Sequence, residues 1–153
     1  MADDLSRLIA DLKKTTDSKA VLKEVRRTIR GPLPATRRAI KSSALRTLPS
    51  SNGLAAWVAA TKVTAKITLT ASRVAVNIRG GRNSAGSKKR SDINAIDRGR
   101  VRHPSWGRRG PGQWHNQTVV PGFFTKTVEE RRPEFVEAVD KGASIVVERL
   151  NRG

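Results

Sequence analysis

The chain contains no cysteine, which excludes disulfides and thiolate-ligated metals. It has no tyrosine, and its aromatic content is three tryptophans and three phenylalanines. The core must therefore come mainly from Val, Ile, Leu and Ala. A single domain of this length buries roughly 70% of its unfolded surface, so that core is expected to be thin, and oligomerisation is a common supplement to a thin core. No apolar run approaches the ~20 residues that a bilayer-spanning helix needs. The opening Met-Ala-Asp-Asp is acidic and lacks the basic start and apolar centre of a signal peptide. The expectation is a chain kept in a cytoplasm, or in a particle assembled there, with no membrane partner. Acids are also scarce, with 13 Asp and Glu against 31 Lys and Arg.

The resulting charge of +18 is what the composition offers in place of these missing features. Self-repulsion on this scale disfavours the compact state unless an anionic partner or salt offsets it. Nine of the basic residues fall within residues 82–109, against two aspartates. The candidate contacts to DNA or to a partner are Arg82, Lys88, Lys89, Arg90, Arg100, Arg102, Arg108 and Arg109. Phosphate contacts by such residues displace counterions and give salt-sensitive binding that is blind to base sequence. The bland alternative is a solvated basic surface.

Periodicity organises the rest. Leu5, Leu8, Ile9 and Leu12 keep one helical face, and Val21, Leu22, Val25 and Ile29 repeat it. This predicts helix over residues 3–30, with a break near Thr15 and Thr16 if Asp17 caps a second segment and a stop at Gly31-Pro32. Ile40, Ala44 and Leu48 share a face of a helix over 34–48, with Pro34 suited to its first turn. Lys62–Thr70 and Arg73–Arg79 alternate with period two around Ala71-Ser72 and read as a hairpin. Leu54–Ala60 fits a short helix or a strand equally well. Gly80-Gly81-Arg82 reads as a turn, and residues 80–92 as a mobile loop. Ser91–Asp97 reads as a helical turn, and Gly99–Pro104 and Gln113–Val120 as two further strands. Phe123–Glu130 and Pro133–Leu150 read as helix, with Gly142 letting the last helix approach a neighbour closely.

The expected class is α+β in a single domain over 1–153. Residues 1–49 form a helical part. Residues 54–120 form a small, mostly antiparallel sheet of about four strands with long basic loops at 80–92 and 104–113. Residues 121–152 form a C-terminal part with a long helix.

No enzyme constellation stands out. The acids lie mostly in the terminal helices, both histidines (His103 and His115) lie in a basic segment, and no Walker-type loop is present. No cofactor, metal or small-molecule substrate is expected. Trp106 and Trp114 flank an Arg/Gly segment. Trp and Arg are favoured at interface centres, although both rings fit equally well as sheet packing, and base stacking is the weaker third reading. Pro121-Gly122-Phe123-Phe124 would make an apolar knob, costly if exposed, and so a candidate interface with Trp106 and Trp114.

The stretch Gly99-Arg-Val-Arg-His103-Pro104-Ser-Trp106-Gly-Arg-Arg, then Trp114-His-Asn-Gln, Val120-Pro121-Gly122-Phe123-Phe124 and Arg132-Pro133 before a long helix resembles the neck and tail-completion (head–tail joining) proteins of long-tailed double-stranded DNA phages. The likeness spans roughly residues 95–150 and is architectural before that. The chain departs from the family in its longer Arg/Trp/Gly segment after His-Pro. The resemblance implies a virion structural protein with no catalytic residues. It would assemble as a homo-oligomeric ring, commonly a hexamer, between portal-bound connector and tail tube, touching neighbouring neck and tail-tube proteins and, non-specifically, the DNA in the channel. The competing reading is a stand-alone basic nucleic-acid-binding protein of ribosomal or nucleoid type.

Overall fold

The computed structural model describes residues 2–15, 17–83, 90–104 and 112–152. Its helices are α1 (Ala2–Leu12), α2 (Ser18–Ile29), α3 (Leu33–Thr47), α4 (Leu54–Ala59), α5 (Arg90–Asp97), α6 (Thr125–Glu130) and α7 (Arg132–Arg152). Its strands are β1 (Thr61–Thr70), β2 (Arg73–Asn83), β3 (Arg100–Pro104) and β4 (Trp114–Thr118). The α+β class and the long last helix agree with expectation. The strands, however, form two separate antiparallel pairs, β1–β2 and β3–β4, instead of one four-stranded sheet. In the chain, α5 lies between the two pairs, and Leu54–Ala59, which fitted helix or strand, folds as helix.

The described residues form two compact units. One comprises residues 1–35, 64–79 and 131–153; the other comprises 36–63 and 80–130.

The first unit is built on periodic apolar faces. Leu5, Ile9 and Leu12 of α1, Val25 and Ile29 of α2 and Val146 of α7 are fully buried in one cluster, each stabilising by about 1.5–3 kcal/mol. The turn end of the β1–β2 hairpin lays Ile67, Val74 and Val76 against that cluster. Gly142 is buried where α7 meets α2, and a Cβ there would sit 3.1 Å from Val25 Cγ1. The absence of a side chain is what permits this approach. Asp17 stands at the N-cap of α2, but its side chain makes no capping bond. Its carbonyl accepts the Ala20 and Val21 amides, while its carboxylate pairs with Arg149 of α7.

The second unit buries Ile40, Ala44 and Leu48 of α3, Ala55 and Val58 of α4, Val63, Ile93, Ile96, Val119 and Phe123. Arg37 Nε donates to the Val63 carbonyl at 2.8 Å, tying α3 to the start of β1. Gly80 and Gly81 are strand residues, which corrects the expected turn and the start of the expected loop at residue 80. A Cβ on Gly80 would lie 3.0 Å from Ile93 Cγ2, and one on Gly81 would lie 3.2 Å from the Lys62 carbonyl. These glycines serve close approach within a strand. The remainder of the expected loop, residues 84–89, lies outside the described residues, and α5 begins at Arg90.

Candidate functional site

The β3–β4 ribbon gathers the exposed functional side chains of the second unit. Its antiparallel register pairs Arg100 with Thr118, Val101 with Gln117, Arg102 with Asn116, His103 with His115 and Pro104 with Trp114. Because side chains alternate between faces, Arg100, Arg102, Trp114, Asn116 and Thr118 occupy one face. Val101, His103, His115 and Gln117 occupy the other. All five residues of β4 are exposed, as are Arg100, Arg102 and His103. A two-stranded ribbon with so little to bury is marginal by itself, so its foot must be held.

The foot is held by Asp97, the last residue of α5. Its carboxylate accepts the Phe124 amide at 2.7 Å and the Thr125 amide at 3.2 and 3.3 Å, together with the Thr125 hydroxyl. Its carbonyl accepts the Gly122 amide at 2.7 Å. The next turn reverses at Gly99, whose φ of 84° suits glycine, and whose carbonyl accepts the Val119 amide at 3.0 Å. One carboxylate thus caps α6 and ties the Pro121–Phe124 turn to the base of β3. Sequence reading missed Asp97 because the amides it caps lie 27 and 28 residues downstream, where no local pattern announces them.

On the arginine face, the Arg102 guanidinium lies 5.2 Å from the centroid of the Trp114 ring. This is cation–π range, and the contact holds a planar cation and an aromatic plane together at the surface. Trp114 remains 39% exposed. On the other face the His103 and His115 rings stand 6.1 Å apart, centroid to centroid. No residue from Arg98 to Val120 is acidic, and five are arginine. The chemistry on offer is phosphate or carboxylate binding by Arg100 and Arg102, with a flat ring beside them for stacking. Among the described residues, no three metal-ligating side chains gather to hold a metal ion, and no helix is long and apolar enough to cross a membrane.

The other sequence candidates are distributed as follows. Arg82 stands near the end of β2, and Arg90 opens α5. Lys88, Lys89, Trp106, Arg108 and Arg109 lie outside the described residues. Phe123 is only 2% exposed and packs inside its own unit. Phe124 is half-buried, its ring meeting that of Phe123 edge-on at 6.3 Å. The apolar need of the Pro-Gly-Phe-Phe element is thus met largely within the chain. That removes exposure as the argument for Phe123 and Phe124 as interface residues, although Pro121 and Val120 do face outward.

Compared with protein-family models, with curated proteins and with solved structures, the chain matches none.

Proposed function

We propose that this chain is a structural subunit of a phage head–tail connector ring. It would assemble with copies of itself, commonly six, and with neighbouring neck and tail-tube proteins around the DNA channel. The resemblance at His103-Pro104, Pro121–Phe124 and Arg132-Pro133 suggests the ring. The observation that carries the nucleic-acid part is the exposed β3–β4 ribbon, which presents Arg100, Arg102 and Trp114 on one face of an acid-free segment. A strand ribbon of this kind can meet phosphates without reading bases, and a channel holding DNA asks for no more.

Native mass spectrometry of the purified chain, followed by a salt titration of duplex DNA binding, tests the proposal. A discrete ring with weak, steeply salt-dependent DNA affinity is expected. A monomer or dimer that binds DNA tightly would favour the stand-alone nucleic-acid-binding reading. A monomer indifferent to DNA would refute both.

A further inference from the structure

Among the described residues, the outer edge of β4 has no pairing strand. The Val119 amide donates to the Gly99 carbonyl, which makes 99/119 a hydrogen-bonded pair. Bonded and non-bonded pairs alternate in an antiparallel ladder. His103/His115 and Val101/Gln117 are therefore bonded pairs, and Arg100/Thr118, Arg102/Asn116 and Pro104/Trp114 are non-bonded ones. Pro104 agrees independently, since it has no N–H to give and stands where none is required. The N–H and C=O groups of Trp114, Asn116 and Thr118 consequently point away from β3, and among the described residues no strand pairs with them.

Natural edges are commonly blunted by Lys, Pro, inward charge or a bulge. Trp-His-Asn-Gln-Thr has no Lys, Pro or acid, and its register runs without a bulge. The edge leads into an open groove. Thr118 ends β4 and also lines that groove with Thr47, Leu48, Pro49, Val119 and Val120, and Val120 is 58% exposed.

We propose that the outer edge of β4 takes up an extended acidic peptide segment of a partner protein as a third strand, with an apolar side chain of that segment seated in the groove. Main-chain pairing supplies affinity and the groove supplies selectivity. Charge selects the occupant. A second copy of this ribbon would set Arg100 and Arg102 against a second Arg100 and Arg102, whereas acidic side chains complement them. A DNA backbone offers acceptors only and leaves the outward carbonyls of β4 unmatched. The inference needs neither the ring nor DNA, so it can fail while the proposed function stands.

The test uses fluorescence anisotropy of a labelled eight-residue peptide alternating Glu with Val. It is compared with the same peptide N-methylated at every residue, which keeps charge and loses the pairing N–H groups of both edges. Wild type is expected to bind the parent about tenfold more tightly than the methylated form. Asn116→Pro removes an outward N–H and no β3–β4 ladder bond. It should weaken peptide binding about tenfold while duplex DNA binding changes less than about twofold. Val120→Asp should weaken peptide binding several-fold. Equal affinity for the two peptides would overturn the proposal without any variant, since attraction would then be charge alone. An equal loss of DNA binding in Asn116→Pro would overturn it in favour of a nucleic-acid edge.

Discussion

Replacing Asp97 with alanine removes the acceptor that the Phe124 amide, the Thr125 amide and the Thr125 hydroxyl share. The Phe124 bond is part-buried at 2.7 Å, and a hydrogen bond to a charged group contributes about 1.5–3 kcal/mol. The Thr125 bonds are exposed, so water replaces them at small cost. Loss of a helix cap costs about 0.5–2 kcal/mol, and this overlaps with the Phe124 term. The expected destabilisation is therefore about 2–3 kcal/mol, or a fall in Tm of about 5–10 °C for a chain of this size. Asp97→Asn keeps an acceptor and should cost about 1 kcal/mol. Thermal denaturation followed by circular dichroism measures the loss. Hydrogen exchange at the Phe124 amide locates it, because that amide should lose protection in Asp97→Ala before the α1–α2–α7 cluster does. An Asp97→Ala protein melting within about 1 °C of wild type, with Phe124 still protected, would refute the assignment of Asp97 as the tie at the ribbon's foot.

Further outcomes follow from contacts already described. Gly142→Leu should destabilise by about 2–3 kcal/mol through overpacking against Val25 and Ile29. In Gly142→Ala a helix-propensity gain of about 1 kcal/mol offsets a single tight contact, so the two denaturation midpoints should lie well apart. In a Trp57→Phe, Trp106→Phe background, Trp114 fluorescence should respond to duplex DNA, and Arg102→Ala should reduce the log–log salt slope of DNA binding by about 1. An unchanged slope would remove Arg102 from the phosphate contacts.

How much was legible in the sequence depended on where each residue's partner lies. The 0, 3, 4, 7 spacing of α1 and the alternation of β1 report burial directly, and Leu5, Ile9, Leu12 and Leu69 are buried as their spacing requires. Gly142 was readable because a glycine inside a helix has few other uses. Asp17 misleads: its position is that of a cap, but a long-range ion pair with Arg149 takes the carboxylate. Gly80 and Gly81 mislead differently, since glycine serves a turn and a crowded strand equally well and only Ile93 and Lys62 decide between them. Leu54–Ala59 has the composition of either element and folds as helix behind Gly53, whose φ is 72°. Of the candidate site, the Arg and Trp residues were visible as a composition. Their shared face, and the open edge beside it, depend on a register that no single segment specifies.

The meeting of α7 with α1 and α2 has a consequence for biosynthesis. The apolar stripes of the first two helices are complete once Ile29 has been made; the hairpin residues Ile67, Val74 and Val76 cover part of them, but the helix that closes over the rest starts only at Arg132, roughly a hundred residues later. At cellular translation speeds that interval is on the order of 5–20 s. During it, nascent chains emerging side by side on one messenger carry greasy helices without their lid. The surplus of lysine and arginine, a burden to the finished fold, would set like-charge repulsion against association of those unfinished neighbours until the closing helix arrives.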